Sequence, residues 1–305
     1  MFEFIAKRLL GAALVLIGVT MLVFFLTRLS GDPAALFMPE DATAAQIDAF
    51  RHEMGWDQPL LIQFGRFIGD VAQGDFGQSL RHGEPALGLV LSRIPATLEL
   101  AAVSFAIALL IAIPLGVISG LKRDSFIDGF ARVVSMLGVC IPNFWLGVIL
   151  ILLFAVNWQL LPSFGRGDIR HLILPGIALG FSAAATIARL LRSSVIEVAS
   201  QDHVRTAHSK GLSFWAVVGK HVLRNASIPV VTIIALQLGY FLSGSVVVET
   251  VFAYPGVGRL AIQAIVNRDY AVVQVFVLLA AVLFTTLNLL VDILYSILDP
   301  RIRIS

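Results

Sequence analysis

The sequence predicts an all-α polytopic membrane protein, and three observations carry that prediction. Hydrophobic residues make up 58% of the 305 positions and charged residues only 14%, against about 25% charged in soluble domains. The apolar residues fall in blocks near the length of a bilayer crossing. Strands alternating over about 10 residues, the mark of a membrane barrel, are absent. A net charge of +2 excludes a dominant basic surface for nucleic acid and an acidic tail. The single cysteine, Cys140, excludes an intrachain disulfide framework.

Six apolar stretches follow in order, at Leu9–Leu29, Thr97–Ser119, Val133–Val156, Leu172–Leu191, Ile228–Val248 and Val272–Tyr295. Each can cross a hydrocarbon core about 30 Å thick as a helix. The helix is the natural spanning element because no water at that depth satisfies the backbone. The first stretch follows Lys7 and Arg8. It exceeds the usual h-region of a signal peptide, and Thr27-Arg28-Leu29 offers no small-residue cleavage site, so it is expected to stay as a helix.

Basic residues set the orientation. With six spans both ends lie on one side, and the terminal and even-numbered connections hold thirteen Lys and Arg in about 70 positions. The opposite connections hold nine in about 105. Both termini are therefore expected in the cytoplasm. Nine acidic residues lie between Asp32 and Glu84, on the expected external side.

Two connections are too long for turns. The chain divides into a tail and first helix (1–29), an external region (30–94) and a five-helix core (95–305) whose cytoplasmic loop spans 192–227. In the external region Ala44–Met54 has a helix-compatible pattern, with Ile47 and Phe50 apolar among Gln46, Asp48, Arg51 and Glu53. Gly116-Val-Ile-Ser-Gly120 and Gly176-Ile-Ala-Leu-Gly180 have the small-xxx-small spacing that lets helix backbones approach, without naming the partner helix. Glu99 and Asp292 lie near span ends and read as interfacial, paired or snorkelling groups, with pathway or gating groups as the alternative and Asn288 one turn from Asp292.

No chemistry of bond breaking is visible. Gly211 to Gly219-Lys220-His221 places seven residues between glycines where a phosphate loop has four, and His221 replaces the required Ser or Thr. His52-Glu53 lacks the second histidine of a zinc-protease motif, since position 56 is Trp56. His82, His171, His203, His208 and His221 form no i,i+4 pair for a metal.

The connection 192–227 reads as a short helix over Gln201–Lys210, capped by Ser200 and closed by Gly211 at a left-handed stop. Val204, Ala207 and His208 share one face, with Asp202, Arg205 and Ser209 largely on the other. Ser213 caps a second helix through Phe214, Trp215, Val218 and Leu223 toward Asn225, returning to the membrane at Pro229. Periodicity leaves two readings open, an amphipathic helix on the headgroups and a docking element for a cytoplasmic protein.

The residues themselves carry a resemblance. Asp202-His203-Val204-Arg205-Thr206-Ala207-His208-Ser209-Lys210-Gly211-Leu212, followed by His221-Val222-Leu223-Arg224-Asn225-Ala226, resembles the coupling loop of the inner-membrane permeases of ABC importers, in the variant of the dipeptide/oligopeptide/nickel subfamily. The resemblance extends over nearly the whole chain. It takes in Gly31-Asp32-Pro33-Ala34, Asp57-Gln58-Pro59-Leu60, Gly74-Asp75-Phe76-Gly77 and Pro95-Ala96-Thr97-Leu98-Glu99-Leu100. It continues with Gly244 to Phe252, Pro255-Gly256-Val257-Gly258, Arg268-Asp269-Tyr270 and Leu298-Asp299-Pro300-Arg301-Ile302-Arg303. Departures are Ser30 where the family usually has proline, His203 at a common tyrosine position, and His208-Ser209 for the usual Arg-Ala.

The resemblance implies six transmembrane helices of the type I ABC-importer permease kind. It implies a non-enzymatic subunit of a multi-pass inner-membrane importer of a prokaryote, for peptides or related solutes such as glutathione-like compounds, opines or nickel chelates. The implied partners are a homologous second permease, two cytoplasmic ATPase subunits that bind the ATP and magnesium, an external solute-binding protein and the lipid bilayer, with no nucleic acid. No cofactor or metal is expected in this chain. The implied ATPase-coupling residues are Asp202, Val204, Arg205, Thr206, Ala207, Lys210, Gly211 and Leu212. The competing class is an ion-coupled secondary transporter, which needs ion ligands at midplane broken helices.

Overall fold

The computed structural model describes residues 2–29, 34, 38–39, 41–79 and 81–298. The Ser30-Gly31-Asp32-Pro33 segment and Asp299 to Arg303 lie outside these residues, as do the side chains of Asn288 and Asp292. All six apolar stretches are helical, the third with a break at Ile141 and Pro142. In chain order the helices are α1 (Phe2–Leu29), α2 (Ala44–Glu53), α3 (Leu60–Ala72), α4 (Ala86–Leu121), α5 (Phe126–Cys140) and α6 (Asn143–Leu150). A π-helical stretch, Ile151–Asn157, continues α6. Then come α7 (Arg170–Ala199), α8 (Asp202–Ser209), α9 (Phe214–Val217), α10 (Arg224–Val251), α11 (Val257–Val266) and α12 (Tyr270–Leu298).

Over the described residues three helical segments are long and apolar enough to cross a membrane by length and composition, Ala86–Leu121, Arg170–Ala199 and Phe214–Phe241. A fourth is the pair α5 and α6, if its halves count as one span. The first and last stretches contribute shorter apolar segments, Ala13–Thr27 and Tyr270–Thr286. The third stretch departs from a straight helix, because the chain bends by 108° between Cys140 and Asn143. Pro142 is the cause: it has no amide to donate, and it disfavours helical backbone at Ile141 before it, which sits extended at φ −81°, ψ 121°. Among the described residues no hydrogen bond reaches the carbonyls of Gly138, Val139 or Cys140.

The chain forms two compact units, one of Met1–Pro95 with Leu260–Leu289 and the other of Ala96–Arg259 with Leu290–Ser305. In the first unit α2 begins at a capping box. The Thr43 side chain accepts from the Gln46 amide, and the Gln46 side chain accepts from the Thr43 amide at 2.8 Å. Phe24 of α1 packs its ring against Phe64 and Phe67 of α3 at centroid distances of 5.3 and 5.4 Å. Ser79 donates to the buried Asp269 carboxylate at 2.5 Å, fixing the turn before α4 to the turn before α12.

In the second unit α7 is the central element, with Leu174, Ala178, Leu179, Ala183, Ala184, Ile187 and Val195 among its buried residues. The small-xxx-small glycines meet each other's helices. A Cβ on Gly116 or Gly120 of α4 would meet Leu191 or Val195 of α7, and one on Gly180 of α7 would lie 2.6 Å from the Ser104 carbonyl oxygen of α4. The two motifs therefore serve one seam, α4 against α7, which small residues let close. Near the Ser125 end of α5, Asp128 is wholly buried and takes a bidentate ion pair from Arg192 of α7, at 2.5 Å from Nε and 2.8 Å from Nη2. The Asp124 amide also donates to it, at 3.0 Å.

Because the Gly180 contact is with backbone, no side-chain rearrangement can relieve it. Replacing Gly180 with leucine should destabilise the unit by about 3 kcal/mol or more, at the high end of overpacking costs. Thermal unfolding of the detergent-solubilised protein measures this; an unchanged midpoint would mean that the seam is looser than described.

Candidate coupling site

The loop between α7 and α10 is short, folded and one-sided. Ser200, expected as the N-cap of the next helix, instead ends α7, with helical backbone at φ −85°, ψ −8° and its hydroxyl donating to the Glu197 carbonyl at 2.7 Å. The N-cap is Gln201, extended at ψ 151° with no side-chain cap bond. The helix is accordingly Asp202–Ser209, two residues shorter than the expected Gln201–Lys210. Ser200 loses the cap because α7 runs on through it, so the turn of direction falls one residue later.

Gly211 behaves as expected. Its φ of +77° is the left-handed conformation that favours glycine, and its amide returns to the His208 carbonyl at 2.9 Å. Ser213 stands at the N-cap position of α9 without making a side-chain cap bond. The helix that follows reaches Pro229 without a break. α9 continues through a π-helical stretch, Val218–Leu223, directly into α10, with Pro229 inside the helix. The π stretch absorbs Gly219 to His221 without ending the helix.

The faces of α8 separate sharply. Val204 and Ala207 are buried at 3% and 4% exposure and join the core with Val217 and Val222. His208, expected on that face, is exposed, its ring bonded to the Val204 carbonyl. Asp202, Arg205, Thr206 and Lys210 are exposed. Arg205 stands 3.7 Å from the Asp202 carboxylate, and the Thr206 hydroxyl donates to the Asp202 carbonyl at 3.0 Å. Leu212 is exposed beyond Gly211, followed by exposed Phe214 and Trp215, whose rings meet edge to face. Two apolar pegs thus anchor α8, while a charged face and an aromatic ridge remain open to a partner.

With this geometry in place, comparison with known proteins decides the class. Residues 112–304 match the family described as binding-protein-dependent transport system inner membrane component, and residues 1–101 match the N-terminal domain of the same membrane component. The chain belongs to this family of importer permeases. The permease is 42% identical, over 99% of both chains, to the glutathione transport system permease protein GsiC of Escherichia coli strain K12 and to that of Salmonella paratyphi A. Its fold is shared with solved structures of lower identity. One is an inward-facing MetNI methionine ABC transporter (TM-score 0.58, 20% identity, 69% of this chain and 96% of that one). Another is an amino acid ABC transporter solved with histidines (TM-score 0.54, 16% identity, 68% and 92%). The chain is thus an ABC-importer permease, and the secondary-transporter alternative falls away.

The permease carries a second constellation, built on an acid within the Gly244 to Phe252 motif. Glu249, near the end of α10, is wholly buried. Its carboxylate accepts from the Thr97 hydroxyl at 2.7 Å and from the Arg259 amide at 3.0 Å, with the Gly258 amide and Ser245 also bonded to it. Thr97 Oγ1 in turn accepts from the Val257 amide at 2.9 Å. Glu249 therefore caps the first turn of α11, and both glycines are needed, because a Cβ on Gly256 would run into its carboxylate and one on Gly258 into the Val246 backbone. The signal was present: a lone acid in Val246-Val247-Val248-Glu249-Thr250-Val251, followed by two glycines, is hard to place except as a buried acceptor.

Beside it, Glu99 is paired, as expected, with Arg166, whose Nη2 and Nε lie 2.7 and 2.9 Å away. The Tyr254 hydroxyl also donates to Glu99, at 3.1 Å. Burial, then the Glu99 carboxylate, pushes the Tyr254 phenol up to about 12, so it stays a donor. The same carboxylate raises the Arg166 guanidinium further above its ordinary value.

Truncating Glu249 to alanine would orphan buried donors and open a void. A loss of about 3 kcal/mol is expected, in the range for removing one member of a buried charged network. Glu249→Gln keeps the volume and should recover part of it; equal melting of wild type and both variants would show that the cap contributes nothing.

Proposed function

We propose that this permease forms the pathway of an ATP-driven importer for glutathione or a related short peptide, and that Asp202–Leu212 is where it receives the work of ATP hydrolysis. The observation that carries this reading is the division of α8 into a buried Val204/Ala207 face and an exposed Asp202/Arg205/Lys210 face. A helix anchored in the core on one side moves with the helices it is packed against. A loop held only by its ends would not. Switching a two-state unit from 1:99 to 99:1 takes about 5.5 kcal/mol of differential binding, and an anchored helix can deliver such a difference. The substrate class is supported by the glutathione permeases at 42% identity.

In this reading the importer contains a homologous second permease, two ATPase subunits that bind ATP and magnesium on the cytoplasmic side, and a solute-binding protein outside. Both termini lie in the cytoplasm, in accord with the thirteen basic residues on that side. The connection 30–94 lies outside, where α2 and α3 help to dock the binding protein. ATP hydrolysis belongs to the partner subunits, and this chain contributes the path and the coupling.

Replacing Gly211 with valine forces a β-branched residue into φ +77° with no clash to blame, since open space surrounds the position. In proteoliposomes holding the whole importer, the variant should keep ATP hydrolysis while glutathione uptake falls. Normal coupled uptake would remove the loop from the mechanism, and absence of uptake of glutathione or any short peptide by the wild type would remove the substrate assignment. Deleting Ala44–Met54 should leave assembly intact and abolish stimulation of ATPase by the loaded binding protein. Undiminished stimulation would place the docking surface elsewhere.

A further inference from the structure

Beside the Asp128–Arg192 ion pair, α4, α5 and α7 enclose a groove with a cavity of about 420 Å³. Its chemistry changes along its length. At one end stand Arg132, Arg189 and Arg192, with Ser135 and Ser193. At the other stand Leu115, Met136 and Val139, with Cys140 beyond them. Arg132, Ser135, Met136 and Val139 recur at three- and four-residue spacing, so α5 presents them as one stripe.

The basic end carries more positive charge than the protein neutralises. Asp128 is taken by Arg192, with Arg132 lying 3.7 Å from it. Arg189 is exposed and has no ion pair among the described residues. Ser135 is only 6% exposed, lines the cavity, and makes no hydrogen bond through its hydroxyl among the described residues. A hydroxyl that faces the cavity without a protein partner, on an otherwise buried residue beside surplus guanidinium groups, suits an anion.

The apolar end identifies which anion. The groove opens onto a face of α5 where Phe126, Phe130, Val133, Met136 and Leu137 are all exposed, Met136 by 68%. A freely diffusing polar solute would gain nothing from that continuity. A molecule with a phosphodiester head and hydrocarbon tails would fill both ends at once, its head among the arginines and its chains along α5.

We propose that this groove is a binding site for an anionic phospholipid, its phosphate held by Arg132, Arg189 and Ser135 and its acyl chains lying on α5. The placement rests on the orientation proposed above, which puts the basic end in the cytoplasmic leaflet. The site ties the headgroup layer to the two helices that Asp128 and Arg192 clamp together, a few residues before the coupling loop begins at the end of α7.

The test uses the whole importer in nanodiscs of phosphatidylcholine containing a minor fraction of phosphatidylglycerol, with retained lipid measured by native mass spectrometry. Wild type should retain phosphatidylglycerol in preference to phosphatidylcholine. The double variant Arg132→Ala/Arg189→Ala, which leaves the Asp128–Arg192 pair in place, should retain about tenfold less or lower still, given the contribution of each cation. Maleimide labelling of Cys140, located by peptide mapping, gives a second readout. Phosphatidylglycerol should slow it in wild type and not in the double variant, while free glycerol phosphate at the same concentration should leave it unchanged. Equal retention by wild type and variant overturns the proposal. So does slowing by free glycerol phosphate or by glutathione, since either makes the groove a solute site. A Cys140 that is unreactive in every lipid, with no phosphatidylglycerol retained, shows the groove closed by another subunit and also overturns it. A nanodisc presents both leaflets, so these outcomes do not depend on orientation, which impermeant labelling of the N-terminal tail decides separately.

Discussion

A helix that starts away from water brings amides that nothing in its own first turn can satisfy, and Glu249 answers that demand for α11. Its carboxylate gathers the Arg259 and Gly258 amides and the Thr97 hydroxyl in a pocket that excludes solvent. Much of the second unit's form follows from this contact. Thr97 fixes the beginning of the apolar part of α4, Gly256 and Gly258 are required for close approach, and Tyr254 is carried to Glu99 in the same turn. The energy comes from the scarcity of alternatives, because in a low-dielectric setting an unpaired donor costs more than a paired one contributes.

The opposite end of the unit is organised by Asp128 and Arg192 in the same way, with a buried carboxylate held chiefly by one planar, bidentate partner. Between the two ends, α4 and α7 close on glycine and alanine. The membrane helices are thus fixed by a few charged contacts near their ends and small residues along their length. The coupling loop inherits this rigidity, since Val204 and Ala207 enter the core beneath α7.

Much of this was legible in the sequence. Apolar block length gave the helices, Gly211 gave the left-handed stop, and the spacing of Ile47 and Phe50 gave α2 in an otherwise polar region. Motif order gave the family and the loop that matters. The misses have physical reasons. Ser200 looked like a cap because hydroxyls favour that position, but α7 continued through it, and local preference cannot see how far a packed helix will run. The π stretch before Pro229 was not legible, because nothing in Val218–Leu223 marks where a helix widens by one residue per turn. Asp128 drew no attention because its partner is far along the chain at Arg192, and nothing in either neighbourhood points to the other.

The break between Cys140 and Asn143 constrains what can lie beside it. Ser182 lies opposite it, thirteen residues into α7, hence about 18 Å along that helix. Carbonyls left open at such depth are not tolerated against lipid, only against protein or a hydrated crevice. Asn143 donates to Tyr240 across the bend at 2.7 Å, and with Ser182 these side chains supply the polar groups of an otherwise largely apolar hollow beside it. The proline that interrupts the third span therefore sets a condition on its surroundings, since whatever fills the space beside it must offer donors to the open carbonyls.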